Sequence, residues 1–159
     1  MKIGIFFGSA SDMEVMKKAH DLITEFGIEC ESYILSAHRV PEKLKETIDD
    51  LEERGFEVFI AGAGLAAHLP GVIASMTVKP VIGVPLNGAL EGLDALLSIV
   101  QMPKQIPVAT VGINNAANAA MLAVEILGVK YPEINEKLID YRKKMKEDFH
   151  RENNGKVEF

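Results

Sequence analysis

Short apolar runs alternate along this chain with stretches whose apolar positions recur every third or fourth residue, the periods of buried strands and amphipathic helices. Residues 3–7 form a first apolar run. The stretch 12–26 then places Val15, Met16, Ala19, Leu22, Ile23 and Phe26 on one helical stripe and ends at Gly27. Residues 32–35 predict a second strand. Pro41 suits the first turn of the helix that follows, Leu44, Ile48 and Leu51 supply its buried face, and Gly55 stops it. A third strand is expected over 57–60, a short helix over 69–76 and a fourth strand over 80–84. A helix over 92–100, a fifth strand over 107–113 and a helix over 115–127 complete the alternation. The last helix, 132–149, has Ile134, Leu138, Tyr141, Met145 and Phe149 in a stripe, with Lys137, Arg142, Lys143, Lys144 and Lys146 around the rest. Residues 151–159 form a tail, of which 151–156 are expected to fray.

Strands and helices in strict alternation predict parallel strands with right-handed crossovers, hence an α/β fold: a three-layer α/β/α sandwich on a five-stranded parallel sheet, with an extra C-terminal helix. At 159 residues the chain is long enough for a sizeable core and reads as a single domain, 1–159. The helices over 92–100 and 115–127 are apolar nearly all round. That predicts burial beyond what one subunit supplies, and therefore a homo-oligomer.

Composition narrows the partners. No apolar run reaches the roughly 18 residues of a membrane span, and the chain enters a strand without the features of a signal peptide. The lone cysteine, Cys30, rules out an internal disulfide or a multi-cysteine zinc site; the expectation is a cytoplasmic protein. A net charge of −6 argues against a nucleic-acid surface but leaves room for a small anionic substrate.

In open α/β sheets ligands bind beyond the carboxyl ends of the strands, and here three such ends carry chemistry. After the first strand, Gly8-Ser9-Ala10-Ser11-Asp12 offers free N–H groups, a helix N-terminus and hydroxyls, an anion site in composition. Asp12 either caps the helix or accepts from a sugar hydroxyl. The segment is neither a dinucleotide fingerprint nor a P-loop. After the second strand, Ser36-Ala37-His38-Arg39 pairs a guanidinium fork suited to phosphate with an imidazole able to exchange protons near neutral pH. After the third, Ala61-Gly-Ala-Gly-Leu-Ala-Ala-His-Leu-Pro-Gly71 is built almost wholly of small residues, which let a ligand approach the backbone, around a single imidazole, His68. His38 and His68 each lack a second His or Cys at metal-ligand spacing, so no metal is expected. A Ser9-His38-Asp12 triad would lack a nucleophile elbow. His20 and His150 read as solvent-facing.

These blocks, together with Gly92-Leu-Asp-Ala-Leu-Leu-Ser-Ile-Val-Gln-Met-Pro103, resemble the N5-carboxyaminoimidazole ribonucleotide mutase family of purine biosynthesis, in order from residue 1 to about 141. The resemblance implies a flavodoxin-like sheet order, a homo-octamer, and transfer of a carboxylate from the exocyclic nitrogen of the substrate to ring carbon four without metal or organic cofactor. It implies that Ser9, Asp12 and Arg39 bind the ribonucleotide with Ser11 and Ser36 assisting, that His38 transfers the proton, and that His68 stands beside the base. Gly8, Ala37, Ala63, Gly64, Leu65, Ala66 and Leu69 complete the expected substrate contacts, and Gly62 and Ala67 the expected apolar pocket. A related group that carboxylates aminoimidazole ribonucleotide directly lacks the pattern Ala66-Ala67-His68-Leu69-Pro70, so the mutase is favoured; a non-catalytic flavodoxin-like nucleotide-binding module is the other alternative. The chain departs from the family at Leu65, where glycine is usual, at Ala95, in the shortened stretch 86–91, and at Lys104-Gln105, a pair that usually contains glycine. If position 65 needs a positive φ, leucine there costs on the order of 1–2 kcal/mol.

Overall fold

The structure is a computed structural model that describes residues 1–153 and 155. Five parallel strands, β1 (Lys2–Phe7), β2 (Glu29–Ile34), β3 (Val58–Ala63), β4 (Val81–Pro85) and β5 (Ala109–Thr110), form one sheet in the order β2-β1-β3-β4-β5. This is the flavodoxin-like order, with its switch point between β1 and β3. The helices are α1 (Met13–Glu25), α2 (Pro41–Glu53), α3 (Leu69–Met76), α4 (Leu93–Val100), α5 (Ala116–Lys130) and α6 (Pro132–Glu152).

Strand alternation decides what each side chain meets. Phe6, Phe59 and Ala61 join Leu44, Ile48 and Leu51 of α2, Ile73 of α3 and Ile99 of α4 in one buried cluster. Position 62 faces the other way. A Cβ on Gly62 would stand 2.4 Å from Met16 Sδ of α1, so this glycine makes room for a helix and does not line the expected pocket. Strand β3 therefore runs on through Ala63 into the small-residue stretch, three residues beyond the apolar run that announced it.

Other boundaries moved for identifiable reasons. Strand β2 starts at Glu29 because it is an edge strand, with one side free to carry Glu29 and Glu31; Lys2 pairs with Glu29 at 3.1 Å. The Arg54 guanidinium, bonded to Glu31, holds that carboxyl below the usual range, with Tyr33 assisting. Burial, with the Glu31 charge adding, pushes the Cys30 thiol up to about 12, so the lone cysteine is an inert half-buried side chain. Strand β5 is short: Pro107 has no N–H to contribute, and the chain turns at Gly112 after Val111 has bonded the Gly83 carbonyl at 3.1 Å. His20, expected at the solvent face, is half-buried, with its Nδ1 out of reach of water.

The chain divides into two compact units, Met1–Ala123 and Val124–Phe159. In the first, Leu93, Leu97 and Val100 of α4 are exposed as a stripe, whereas Ala116, Ala119, Ala120 and Ala123 of α5 are fully buried already in one chain. The alanine row of α5 is thus covered within the chain, whereas Ala117, Met121, Leu122 and Ile126 are only half-buried and Val129 is exposed. In the second unit Gly128 lies flush against Leu138, where a Cβ would be 3.0 Å from Cδ1, and Arg142 pairs with Glu125. The stripe of α6 is buried at Ile134 and Leu138 but exposed at Met145 and Phe149. The helix continues to Glu152, so Arg151 and Glu152 belong to it and not to a tail; 154 and 156–159 lie outside the described residues. No described helix is long and apolar enough to cross a membrane.

Gly83 in β4 marks the tightest crossing of sheet and helix. A Cβ there would stand 2.4 Å from Ile99 Cγ2 and 3.1 Å from Val108 Cγ1, both on branched, inflexible side chains. Gly83→Ala is expected to destabilise the protein by about 1–3 kcal/mol in urea denaturation. In an Ile99→Ala background the same exchange should cost less by on the order of 1 kcal/mol, because the clash is gone. Equal costs in both backgrounds would refute the contact.

Candidate active site

The three loops expected to carry chemistry converge on one cleft at the carboxyl ends of β1, β2 and β3. The cleft encloses about 490 Å³ and is lined by Gly8, Ser9, Ser11, Asp12, Ser36, Ala37, His38, Arg39, Ala63, Gly64, Leu65, Ala66, Ala67, His68 and Leu69, and by Asn87 and Gly88 from the segment after β4. Every residue expected at the site from the sequence lies on its wall, Gly62 excepted.

The first loop is shaped by its own hydroxyls. Ser9, in extended conformation, accepts from the Ser11 backbone N–H at 3.3 Å and from the Ser11 hydroxyl at 2.9 Å, and its carbonyl accepts from Asp12 N–H at 3.1 Å. These bonds close one turn of 3-10 helix over Ala10–Asp12 before α1 begins. Asp12 makes no capping bond to α1; it receives only the Ser11 hydroxyl, at 3.3 Å. Of its two readings, the cap is excluded, and the carboxylate remains available to a hydroxylated ligand. Gly8 would meet nothing within 4 Å with a Cβ added, so its contribution is open space at the strand end rather than a special φ.

The second loop is closed by Arg39 and Val40 N–H groups, both bonding the Ser36 carbonyl, at 3.3 and 3.0 Å. This turn brings His38 and Arg39 to the surface of the cleft, and both are exposed. Arg39 has no carboxylate partner among the described residues, so its fork is free for an anion.

In the third loop Ala67 N–H bonds the Gly64 carbonyl at 3.1 Å, and the chain enters α3 at Leu69 with His68 at the cap position. Leu65, at the crown, has a φ of 56° and is 58% exposed. The conformational condition raised by the sequence is met: leucine occupies a left-handed position. Gln105, in the other pair where the family usually has glycine, has a φ of 74°.

The feature that sequence spacing hid is the meeting of the two imidazoles. His38 Nε2 lies 2.7 Å from His68 Nδ1, with the ring planes inclined at 73°. Thirty positions apart in the chain, they carry no mutual signal in sequence. One of the facing nitrogens must donate and the other accept, so the tautomers of the two rings are linked. Asn87 and Gly88 were also missed; the Asn-Gly pair directly after the fourth strand was a turn signal that, with the sheet order known, places it beside the third loop. Among the described residues no group of His, Cys, Asp and Glu is arranged to hold a metal ion.

An α/β protein of flavodoxin-like topology, with a hydroxyl-rich turn, a free arginine and a histidine pair around a small-residue pocket, is a small-molecule enzyme of the nucleotide-binding kind. Residues 2–148 match the AIR carboxylase family, and the chain belongs to that family. It is 63% identical over 145 residues to the N5-carboxyaminoimidazole ribonucleotide mutase of Pyrococcus horikoshii, which spans 91% of this chain and 82% of that protein. The mutase of the same name from Thermotoga maritima is 57% identical over 148 residues, 92% of this chain and 86% of that one. Among solved structures, the crystal structure of Treponema denticola PurE is similar, with a TM-score of 0.88 at 26% identity over 96% of both chains.

Proposed function

We propose that this chain interconverts N5-carboxyaminoimidazole ribonucleotide and 4-carboxy-5-aminoimidazole ribonucleotide, an isomerase of purine biosynthesis that works in the cytoplasm. The observation that carries the reading is the His38–His68 hydrogen bond at the mouth of a cleft walled by Ala63, Gly64, Ala66 and Ala67. Relatives at well over half identity that bear the mutase name support it, as does the Ala66–Pro70 pattern against direct carboxylation. A module that only binds nucleotides needs donors; it does not need paired imidazoles beside a small-residue wall. All groups invoked come from the unit Met1–Ala123, and the reading keeps 1–159 together as the single catalytic domain expected from the sequence.

The chemistry follows from what each group can do. Arg39, Ser9 and Asp12 hold phosphate and ribose, with Ser11 and Ser36 assisting, and this binding fixes the base without touching the reacting atoms. The carbamate N–C bond breaks as the nitrogen takes up a proton, giving carbon dioxide and the free amine. Ring carbon four then attacks the carbon dioxide, forming a C–C bond, and loses its own proton to restore aromaticity. One proton is given and one recovered, so a single imidazole, His38, serves both steps; such transfer is worth typically about 10²–10⁴-fold. His68 sets which tautomer His38 presents. The small-residue wall keeps the gas beside the nucleophilic carbon, which is catalysis by enforced proximity.

Conversion of N5-carboxyaminoimidazole ribonucleotide by the purified protein, followed by absorbance without added bicarbonate, tests the reaction; a strict bicarbonate requirement would favour direct carboxylation. His38→Asn is expected to bind the nucleotide near normally but to stop turnover. Activity above about a tenth of wild type, under about 1.4 kcal/mol of transition-state loss, would remove His38 from proton transfer. Arg39→Ala should raise the dissociation constant by calorimetry far more than it lowers the maximal rate, as loss of a contact to a non-reacting phosphate does. Unchanged affinity would show that the fork serves something else.

We further propose a homo-octamer. The exposed stripe Leu93, Leu97 and Val100 on α4, and separately Met145 and Phe149 on α6, supply apolar surface that a symmetric assembly would cover. Light scattering at micromolar concentration is expected to give eight times the chain mass. A value near the 17.4 kDa of one chain would refute assembly, and a dimer or tetramer would refute only the stoichiometry.

A further inference from the structure

The segment leaving β4 forms the part of the cleft wall that no motif announced, and one residue from outside the cleft holds it in place. Asn114, beyond β5, donates its backbone N–H to the Pro85 carbonyl at 2.8 Å, and its Oδ1 accepts the Asn87 backbone N–H at 2.9 Å. A single asparagine thereby ties both ends of the stretch 85–87. It does so with a φ of 57°, a left-handed conformation that asparagine tolerates better than other non-glycine residues. Its neighbour Ile113 closes on the same segment further along: a Cβ on Gly92 would stand 2.7 Å from Ile113 Cγ2 and 3.4 Å from Asn87 Cα.

The segment so held bears on the small-residue wall. Leu86 N–H donates to the Ala63 carbonyl at 2.9 Å, and the Leu86 carbonyl oxygen lies 3.4 Å from where a Cβ on Gly64 would be. Gly88 faces the crown of the loop, where a Cβ would stand 3.3 Å from Leu65 Cδ2. Leu65 is in a conformation that leucine keeps only when its surroundings hold it there. Asn114 is well placed to supply that hold, through Asn87 and Gly88.

We propose that Asn114 is a positioning residue for the gas-retaining wall: its amide oxygen keeps Asn87–Gly88 against Leu65 and so keeps residues 64–67 closed over the reacting carbon. The inference rests on the mutase reading. Released carbon dioxide has two fates, C–C bond formation at ring carbon four or escape, which leaves aminoimidazole ribonucleotide. A slack wall changes the ratio of these products, and mere loss of stability does not.

The test measures aminoimidazole ribonucleotide released per 4-carboxy product formed, corrected for spontaneous breakdown of N5-carboxyaminoimidazole ribonucleotide in protein-free buffer. Asn114→Gly keeps the left-handed conformation and deletes the acceptor; Asn114→Asp keeps both. Asn114→Gly is expected to raise the ratio about three- to ten-fold, the range that one hydrogen bond accounts for, while Asn114→Asp stays within about two-fold of wild type. The KM of Asn114→Gly should change by less than about two-fold, because the groups assigned to phosphate and ribose are untouched. A wild-type ratio in Asn114→Gly, or an Asn114→Asp as leaky as Asn114→Gly, overturns the proposal. Should Asn114→Gly not fold by circular dichroism, Gly88→Ala, whose methyl presses on Leu65 Cδ2, must raise the ratio, and an unchanged ratio overturns it equally. If wild-type protein forms no 4-carboxy product at all, the mutase reading fails instead.

Discussion

The constraint on which this site depends is the order of the sheet. Strands β2 and β3 are not neighbours; β1 lies between them, so the loops that follow them start about two strand spacings, roughly 10 Å, apart. His38 and His68 bridge that gap, in contact at 2.7 Å, because the chain lays β2 on one side of β1 and then crosses back to lay β3 on the other. Gly8 and Ser9, the first residues after β1, line the same cleft as the two imidazoles. Had the strands been laid in sequence order, the two imidazoles would have flanked adjacent strands with no space between their loops for a base.

Within that frame, side-chain size divides the labour of the small-residue stretch. Residues 61 and 63 face the core cluster shared with α2, α3 and α4, and position 62 faces α1, so the strand part of the stretch is small because helices press on it from both sides. From Ala63, which borders both core and cleft, smallness also serves the cleft. The run of small residues is thus two adjacent designs: a packing device, and after it a pocket wall.

What was legible in the sequence follows the same division. Alternation of periods showed the strands and helices, because buried parallel strands and one-sided helices must be apolar in those patterns. Gly8 through Asp12 and Ser36 through Arg39 were legible because polar residues at strand ends have little structural reason to be there. The fate of the α5 alanines was not, since a helix row of alanines looks the same whether it packs at home or against a partner. The histidine pair was not legible either: its geometry comes from strand order, which no local spacing encodes. Asp12 stayed ambiguous until Ser9 proved to make the capping bonds of the turn. Asn114 gave no signal of its own, because its work is done by a hydrogen bond to a residue 27 positions away.

The distribution of strained backbone adds a last step. Leu65 after β3, Leu90 and Glu91 after β4 and Asn114 after β5 all carry positive φ, and all lie beyond the carboxyl ends of strands; Gln105, before β5, is apart from them. For residues other than glycine and asparagine each such position costs about 1–2 kcal/mol, and the sheet itself shows none. The loops around the cleft are therefore held in shape by what surrounds them, since their own preferences oppose it. That gives the contacts among residues 64–65, 86–88, 92 and 113–114 a significance beyond their individual strengths: each opposes a local tendency of the chain to relax away from the cleft. A wall made of glycine and alanine has no side chains with which to brace itself. Its rigidity has to be imported from the segments behind it, and in this fold those segments are the turns that follow β4 and β5.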